Sequence, residues 1–258
     1  MIQKLSIITI NYNDKIGLEN TVKSVVDQSY QAFEFIVIDG NSSDGSLEVL
    51  KSYDSNIDFW LSEPDSGIYN AMNKGILHAK GTYLLFLNSG DVLNGNTALH
   101  DFIHHKDFEG DIIYGDYKFN NGGKVYPDKL TPLHFFKSAL PHQSTFIKKS
   151  LFSEYGMYNE NLKIVSDWEF FVKCFFSRKV QFKHVNYPLS VFDLLGISND
   201  AEHKSQLIAE KDMVLQKHYG FYYQDYKKHI QLELELSNTK RKTIKGVLKR
   251  IKKKLSYR

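Results

Sequence analysis

Cysteine is nearly absent from this sequence, and long hydrophobic runs are absent altogether. The single cysteine among 258 residues, Cys174, excludes an internal disulfide and a cluster of thiolate metal ligands, which suits a reducing compartment. Because Cys174 lies in an apolar segment, we expect it to be a buried packing residue. No apolar run approaches the roughly 18 residues that cross a bilayer, and no signal-peptide cleavage site precedes the first apolar segment. We therefore expect a cytoplasmic protein that is neither secreted through a standard signal nor transmembrane.

The common glycine-rich phosphate loops are also missing. The sequence has no Gly-x-x-x-x-Gly-Lys-Ser/Thr loop, and no Gly-x-Gly-x-x-Gly follows its first apolar segment. Ordinary kinases, ATPases and dinucleotide dehydrogenases are therefore poor fits. Disorder over most of the chain is excluded as well, because 42% of the residues are hydrophobic and 14% are aromatic.

Positive charge is concentrated at one end of the chain. The segment that begins at Lys240 and ends at Arg258 holds ten of the 33 Lys and Arg residues and none of the 30 acids. Residues 1–239 therefore carry 23 basic against 30 acidic residues, a net charge of −7. The sequence predicts an acidic body with a basic tail.

The first ninety residues alternate between strand and helix patterns. Apolar runs predict strands at residues 5–10, 33–38, 57–61 and 81–87, and apolar periodicity predicts helices near residues 18–26, 47–50 and 68–79. We expect Ser43 or Asp44 to cap the second helix. Five consecutive apolar residues, 83–87, fit a central strand that is buried on both faces. The alternation predicts a parallel, right-handed, Rossmann-like sheet with helices on both faces.

The second half of the chain is less regular. A strand at residues 111–117, a turn at residues 121–123 and a strand at 124–126 predict a hairpin. Helices are predicted at residues 149–155, from an N-terminal cap at Ser166, and at 201–218, with two short strands at 180–184 and 187–192. We expect an α/β domain over residues 1–200 with an antiparallel extension, a helical extension over 201–239 and the basic tail over 240–258.

Two carboxylates follow predicted strands of the same sheet. Asp39 ends the second strand and Asp91 follows the fourth. Such a pair suits a nucleotide, because one acid accepts hydrogen bonds from a base or ribose and the other holds a divalent cation against the diphosphate. The alternative is that Asp39-Gly40 and Gly90-Asp91 are ordinary turn residues, and spacing alone does not separate the two interpretations.

Several motifs in a fixed order are more specific than either carboxylate. Residues 4–195 resemble family 2 glycosyltransferases of the GT-A fold, particularly those that assemble bacterial capsules and surface polysaccharides. The resemblance is carried by residues 6–13 (SIITINYN), 24–30 (SVVDQSY), 34–46, 63–75 (EPDSGIYNAMNKG) and 81–91 (GTYLLFLNSGD). It implies transfer of a sugar from a nucleotide-diphosphate donor, with UDP as the expected nucleotide, and inversion at the anomeric carbon.

The resemblance also implies roles for individual residues of the donor site. The first loop and the end of the second strand would meet the nucleotide through Thr9, Asn11, Asn13 and Asp39. The ribose and diphosphate would be bordered by Asp65, Gly67, Ile68, Tyr69 and Asn70, with Asn73 behind them. Asp91 would be the metal ligand, at the end of a segment that also contains Asn88, Ser89 and Gly90.

That segment departs from the family pattern. Many members have Asp-x-Asp and a further Asp, whereas Asn88-Ser89-Gly90-Asp91 keeps only the last carboxylate. One carboxylate can still hold Mg²⁺ or Mn²⁺ when the diphosphate and waters complete the coordination shell. We therefore expect weak metal affinity without donor. A metal-independent or inactive protein is the alternative.

Catalysis by inversion needs a general base for the acceptor hydroxyl. Asp167 matches the position of the family's catalytic acid residue at the start of a helix, where the helix N-terminus favours an ionised carboxylate. Without the resemblance, Asp167 would be interpreted as a first-turn helix residue. His142 and Gln143 resemble residues that line the sugar or acceptor pocket, although a lone His is more often structural. Trp168 is either a platform that stacks on sugar or a core aromatic residue. The resemblance places Asp193 and residues 196–199 in a lid.

The basic tail has the pattern of an interfacial helix. Its apolar residues share one helical face, and lysines and arginines surround them. We expect this tail to hold the protein on the anionic inner face of the cell membrane, because a transferase of this type acts on lipid-linked acceptors. Nucleic acid and a merely solvated tail are the rival interpretations of the charge, and we expect no nucleic-acid partner. The members of the apolar face are Ile244, Val247, Leu248, Ile251 and Leu255.

The rival functions for the whole chain are a nucleotidyltransferase and an inactive nucleotide-sugar sensor.

Overall fold

A computed structural model describes residues 5–119, 122–191 and 204–255, and for residues 241–255 it describes the backbone alone. The chain forms two compact units, Met1–Lys211 and Asp212–Arg258. The first unit contains a sheet of nine described strands with helices around it, and the second is helical. The predicted lid residues, Asp193 and 196–199, lie outside the described residues.

The elements of the first unit follow one another in a regular order at the start and an irregular order later. The strands are β1 (Leu5–Asn11), β2 (Phe33–Asp39), β3 (Phe59–Ser62), β4 (Tyr83–Phe86), β5 (Val92–Leu93), β6 (Ile112–Phe119), β7 (Gly122–Lys124), β8 (Thr145–Lys148) and β9 (Phe182–Val191). The helices are α1 (Lys15–Val26), α2 (Ser46–Ser52), α3 (Ile68–His78), α4 (Ala98–Ile103), α5 (Pro132–Lys137), α6 (Ser150–Tyr155), α7 (Ser166–Ser177) and α8 (Lys204–Tyr219), which continues into the second unit.

The sheet has the strand order β3-β2-β1-β4-β8-β6-β9-β5, and β7 pairs with β6. The strands from β3 to β4 are parallel, β8 is antiparallel to β4 and β6, and β6 is parallel to β9. This arrangement confirms the predicted α/β class, with a mostly parallel sheet and an antiparallel extension. It also brings the carboxyl ends of β1, β2, β3 and β4 to one edge, where the site lies.

Burial explains why β1 and β4 read as continuous apolar runs. Every residue of both strands is buried. Helix α3 packs against β1 and β2, and Gly75 makes close approach possible, because a Cβ there would lie 2.5 Å from Cγ2 of Ile8. The predicted central strand is thus the middle of the core, and its C-terminal end is fixed from both sides of the sheet.

Several local predictions were wrong. The N-cap of α2 is Gly45 in a left-handed conformation, although Asp44 does accept a hydrogen bond from the backbone N–H of Ser46. Ser166 is the first residue of α7 rather than its cap, because its hydroxyl accepts from the backbone of Asn159. The two short strands expected at residues 180–184 and 187–192 are one strand, β9, whose pairing with β6 is irregular near Asp116. The predicted hairpin is present, but Gly122 and Gly123 belong to its second strand.

The second unit contains the end of α8 and a long helix, α9 (Tyr223–Leu255), joined by a 3-10 turn at Gly220–Tyr222. Within this unit the phenol of Tyr223 donates to Asp212, and Lys227 pairs with the same carboxylate at 3.2 Å. Helix α9 includes most of the basic tail, which agrees with the predicted helical conformation there. Among the described residues, no helix is both long and apolar enough to span a membrane.

Candidate active site

Asp39 organises the loops at the carboxyl ends of β1, β2 and β3. Its carboxylate accepts four hydrogen bonds: from Nδ2 of Asn11 at 2.7 Å, from Oγ and N of Ser42 at 2.6 and 2.9 Å, and from Oγ of Ser62 at 2.6 Å. The residue is completely buried. Because two carboxylate oxygens offer about four acceptor positions, the protein itself uses them all. The expected contact of Asp39 with a nucleobase therefore stays a prediction, and the structure gives Asp39 a scaffolding role.

The hydrogen bonds to Asp39 keep it ionised. Burial alone raises the pKa of this carboxyl, but the donors on Ser42, Ser62 and Asn11 outweigh burial and hold the pKa below its usual value. The charge is thus stabilised by neutral donors from three strand ends. This arrangement locks the three loops together without a cation.

Ser42 and Asn13 join the first and second loops. Nδ2 of Asn11 and the backbone N–H of Asn13 both donate to Oγ of Ser42, at 3.2 and 2.8 Å, while Oδ1 of Asn13 accepts from the backbone of Ser43 at 2.8 Å. Asn13 has φ 49° and Asn41 has φ 63°, a left-handed conformation that asparagine tolerates. The two loops therefore form one prebuilt surface.

Because Gly40 has no side chain, the third loop can pack against this surface. A Cβ on Gly40 would lie 2.7 Å from Oδ2 of Asp65 and 3.0 Å from the ring of Tyr12. Glycine at this position therefore lets both side chains pack closely against the backbone. Asp65 also accepts from the backbone of Gly67 at 2.9 Å, and Tyr12 is 67% exposed. An aromatic face is thus presented to solvent directly above the end of β2.

Helix α3 begins where these loops end. Gly67, with φ 127°, precedes its first residue, Ile68, and no side chain caps the helix N-terminus. Such an N-terminus favours anions, because its first N–H groups have no partner within the helix. Glu160 fixes this turn from the other side, with its carboxylate accepting from Asn70 at 2.9 Å and Asn73 at 2.8 Å. Asn73 also exchanges two hydrogen bonds with the backbone of Tyr158.

The segment after β4 is held by α1 and β1. Oγ1 of Thr21 donates to the backbone oxygen of Asp91 at 2.8 Å and accepts from the N–H of Gly90 at 3.0 Å. Ser89 donates to Oδ1 of Asn11 at 2.8 Å, which links this turn to the first loop. The N–H of Asn88 donates to the Asp91 carboxylate at 3.2 Å. The four residues therefore form a tight turn with one carboxylate, as expected.

His142 lies between Asp91, the expected metal ligand, and Asp167, the expected general base. Its Nε2 is 3.6 Å from Oδ2 of Asp91, and its Nδ1 is 3.3 Å from Oδ2 of Asp167. Burial by itself lowers the pKa of His142, but hydrogen bonds and charge from Asp167 and Asp91 outweigh burial and raise the pKa to about 10. A single imidazolium thus balances the charge of two acids from distant parts of the sequence.

Asp167 stands at the start of α7 with both oxygens directed by neighbours. Its Oδ1 accepts from the phenol of Tyr69 at 2.8 Å, and its Oδ2 faces His142. Only 16% of its side chain is exposed. Burial raises the pKa of Asp167, but His142 and Tyr69 outweigh burial and hold it below its usual value. Asp167 is therefore an ionised carboxylate that can accept a proton at neutral pH.

The structure does not bring every predicted residue to a surface. Thr9 is completely buried within β1, with an Oγ1 that has no hydrogen-bond partner among the described atoms. Gln143 is 3% exposed. Trp168 is also 3% exposed, and its indole donates to the backbone oxygen of Phe135 at 3.1 Å. Of the two interpretations of Trp168, this burial favours the core aromatic residue.

A metal ion at this edge would need oxygen ligands. Within the described part of the chain, no group of three or more His, Cys, Asp or Glu side chains could hold a metal ion. Asp91 offers a carboxylate, and Oδ1 of Asn88 is a buried oxygen with no partner among the described residues. Carboxylate and amide oxygens suit Mg²⁺ and Mn²⁺, provided that a bound diphosphate supplies further ligands. The residues present fit such a shared site.

The sequence comparisons decide the family. Residues 6–176 match the profile of Glycosyl transferase family 2. This chain belongs to glycosyltransferase family 2. An uncharacterized glycosyltransferase of Mycobacterium tuberculosis is 34% identical over 209 residues, which cover 77% of this chain and 78% of the relative. A PGL/p-HBAD biosynthesis glycosyltransferase of Mycobacterium bovis is 30% identical over 202 residues, 74% of this chain and 77% of the relative.

Solved structures show the same GT-A architecture. Staphylococcus aureus TarS 1–349 in complex with UDP-GlcNAc matches with a TM-score of 0.65 and 18% identity, over 83% of this chain and 67% of that chain. This chain spans 43% of the full TarS chain. The mannosyltransferase PcManGT of Pyrobaculum calidifontis, in complex with GDP-Man and Mn²⁺, matches with a TM-score of 0.62 and 13% identity, over 81% of this chain and 63% of that chain. The predicted fold is confirmed by these matches.

Sequence reasoning missed four side chains of this family 2 site. Tyr12 lay inside a quoted motif, and its exposure next to Gly40 is visible only in three dimensions. Ser42 and Ser62 appeared to be turn residues, yet both donate to Asp39. Glu160 lies in an irregular segment without a strand or helix pattern, so nothing in its neighbourhood indicated that it would hold α3.

Proposed function

We propose that this protein is an inverting glycosyltransferase that uses a nucleotide-diphosphate sugar, with UDP as the nucleotide, and that Asp167 is its general base. One observation carries the proposal: Asp167 is held ionised by Tyr69 and His142, at the end of α7 that meets the turn containing Asp91. An ionised, mostly buried carboxylate at the nucleotide edge of a GT-A sheet is suited to take the proton of an acceptor hydroxyl as it attacks the anomeric carbon.

The donor would lie across the three joined loops. The exposed ring of Tyr12 offers a stacking face for the base, and Asn13 and Ser42 offer polar groups beside it. The open N-terminus of α3 at Gly67 and Ile68 would face the diphosphate. The UDP-GlcNAc named for the TarS structure supports UDP as the first nucleotide to test. Asp39 acts by holding these loops rather than by direct contact.

A divalent cation would be held by Asp91, with Asn88 Oδ1 beside it. When bound, Mg²⁺ or Mn²⁺ supplies positive charge against the leaving nucleotide diphosphate. The Mn²⁺ named for the mannosyltransferase structure supports this part of the proposal. His142 keeps Asp91 and Asp167 apart and balances their charge.

The acceptor is proposed to be a hydroxyl of a glycan or of a lipid-linked glycan in surface polysaccharide assembly. The name of the M. bovis relative, a PGL/p-HBAD biosynthesis glycosyltransferase, supports the transfer of sugar to an acceptor of this broad kind. The sugar itself, a hexose or an N-acetylhexosamine, is left to the experiment below.

Release of nucleotide diphosphate from a panel of UDP-, GDP- and dTDP-sugars tests the proposal, with and without Mn²⁺. We expect one nucleotide series to be turned over, with a rate that falls when the metal is chelated. Asp101→Asn, which changes an exposed carboxylate on α4, is the matched control for Asp167→Asn. Tight binding of a nucleotide sugar without transfer of the sugar to any acceptor would instead indicate a sensor. Release of pyrophosphate would indicate a nucleotidyltransferase.

We also propose that residues 240–258 hold the protein on an anionic membrane surface. The ten basic residues of this segment are the support, because each basic residue near such a surface contributes on the order of 1 kcal/mol. A chain truncated after Ser237 should lose binding to phosphatidylserine vesicles and keep donor hydrolysis. Phosphatidylcholine vesicles are the control, and equal binding of the full and truncated chains to the anionic vesicles would contradict the proposal.

A further inference from the structure

A cluster of basic side chains lies near Trp168, the residue that follows Asp167 in α7. We call Lys124, His134 and Lys211 the basic cluster. Lys124 ends β7, His134 lies in α5, and Lys211 is the last residue of the first unit. The order β2-β1-β4-β8-β6 places Asp39 first, then the turn after β4, and the β6–β7 hairpin last. The cluster therefore lies beyond the turn after β4, on the opposite half of the sheet from Asp39.

Aromatic rings hold the cluster together. Nζ of Lys124 lies 4.5 Å from the centre of the Tyr126 ring, and Nζ of Lys211 lies 5.9 Å from the centre of the Trp168 ring. The rings of Tyr126 and His134 are 6.0 Å apart. These contacts hold both lysines against aromatic rings in a partly buried wall, rather than leaving them free in solvent.

The positive charge of this wall has no matching carboxylate. Neither Lys124 nor Lys211 forms an ion pair with an acid that the structure describes, and the nearest polar partner of Lys124 is Oγ of Ser138, at 2.8 Å. Asp116, which lies under Tyr126, is already engaged by the N–H of Tyr126 and by His184. Nε2 of His134 is buried and unpartnered among the described atoms.

Burial and a neighbouring charge both act on the pKa of these lysines. Burial lowers the pKa of both, and the charge of Lys211 lowers the pKa of Lys124 further, while Asp167 partly offsets the effect on Lys211. Most other partly buried lysines of this unit pair with an acid, as Lys148 does with Asp111 and Lys183 with Asp107. An anion bound between Lys124 and Lys211 would satisfy both ammonium groups at once.

We propose that the basic cluster is a binding subsite for a phosphate ester of the acceptor. Two ammonium groups and a neutral His134 offer several donors to one dianion, which fits a phosphate better than a carboxylate. As an acceptor subsite the assignment depends on the proposed transferase reaction, whereas anion binding itself does not. Phosphate bound here would hold the acceptor with its hydroxyl toward Asp167.

Trp168 supplies a direct probe of this subsite. The chain has two tryptophans, and Trp60→Phe leaves Trp168 as the sole one, beside Lys211. In this full-length background, fluorescence is titrated with inorganic phosphate, an alkyl phosphate monoester and acetate at constant ionic strength. We expect a saturable change with phosphate and with the monoester, and none with acetate at the same concentration.

Charge variants identify the residues involved. Lys124→Ala combined with Lys211→Ala should raise the half-saturating phosphate concentration at least tenfold, whereas Lys124→Arg with Lys211→Arg should keep it within about threefold. Lys183→Ala is the matched control, since it removes one positive charge that is already paired with Asp107, and it should change the titration less than twofold. Circular dichroism checks that each variant is folded.

A saturating concentration of UDP separates this subsite from the donor site. We expect the phosphate titration to persist with UDP bound, and the double alanine variant to keep its UDP affinity. Loss of the phosphate signal on addition of UDP, an unchanged titration in the double variant, or binding of inorganic phosphate without the monoester would each overturn the assignment. None of these readouts requires turnover, so failure of the transferase proposal would be seen separately.

Discussion

The two halves of the sheet, which we call its two sides, hold their functional residues in different ways. On the side of β1, β2 and β3, loops that follow parallel strands are joined by neutral donors around one buried carboxylate, Asp39. On the side of β8, β6 and β9, the functional groups come from a 3-10 turn, a helix N-terminus and a hairpin, and charge dominates their contacts. The first side is held by the protein's own hydrogen bonds, whereas the second includes two lysines, Lys124 and Lys211, that form no ion pair with a described acid.

This difference fits the roles proposed for the two sides. A nucleotide site can be rigid, because the same nucleotide is bound in every cycle, and four hydrogen bonds to Asp39 provide that rigidity. A catalytic carboxylate must instead remain able to gain and lose a proton. The side chains that hold Asp167 are those of Tyr69 and His142.

Asp167→Asn is expected to have the largest effect, and it affects only the catalytic side of the comparison. Loss of the general base should lower kcat by about two to four orders of magnitude, because a positioned proton acceptor contributes this much. Donor affinity should stay within about threefold, since the joined loops do not include Asp167. Donor turnover and calorimetric titration of nucleotide measure the two quantities, and full activity of the variant would remove the base assignment.

Asp39→Asn tests the nucleotide side. An amide at this position places an N–H group among four donors, so we expect the free energy of unfolding to fall by about 2–3 kcal/mol at pH 7. Donor affinity should fall as well, because the loops at Asn11, Ser42 and Ser62 lose their common acceptor. Urea unfolding and nucleotide titration provide the measurements.

The same variant makes a pH prediction. The folded pKa of Asp39 is lowered, so its stabilisation is fully present above the unfolded value of about 3.9 and is lost as pH falls through the lower folded value. The stability difference between wild type and Asp39→Asn should therefore be constant from pH 8 to about pH 5 and should shrink below pH 4. A difference that grows toward acidic pH would contradict the assignment of charge at Asp39.

The comparison also explains what the sequence could and could not predict. Candidate residues on the proposed nucleotide side could be predicted because they follow apolar strands, and parallel strands bring their carboxyl ends together. Asp39 and Asp91 were predicted in this way, whereas Asp65 was indicated by the family resemblance. Asp167 and His142 are 25 residues apart and follow no such strand, so only the family resemblance indicated them. Their contact with each other, and the contact of Tyr69 with Asp167, depends on how α7 packs, which no local pattern encodes.

Gly75→Ala tests whether the nucleotide side depends on close packing of α3. The added methyl would overlap Cγ2 of Ile8, while alanine itself favours a helix by up to about 1 kcal/mol. We expect a net loss of about 1–2 kcal/mol in the free energy of unfolding, with kcat unchanged at a temperature where the variant is folded. Leu77→Ala, at a position that is 73% exposed on the same helix, is the control and should change stability by less than about 0.5 kcal/mol.

Tyr69→Phe is expected to have the smallest effect, and it sharpens the comparison most, because Tyr69 belongs to α3 but donates to Asp167. Loss of this hydrogen bond should lower kcat about five- to tenfold and leave donor affinity unchanged. It should also raise the pKa of Asp167, so the acidic limb of the kcat/KM profile should move to higher pH. Tyr158→Phe is the matched control: its ring packs 5.7 Å from that of Tyr69, and its buried hydroxyl has no partner among the described atoms. An equal loss of activity in both variants, with no shift in the profile of Tyr69→Phe, would mean that Tyr69 contributes packing alone and that the two sides of the sheet act independently.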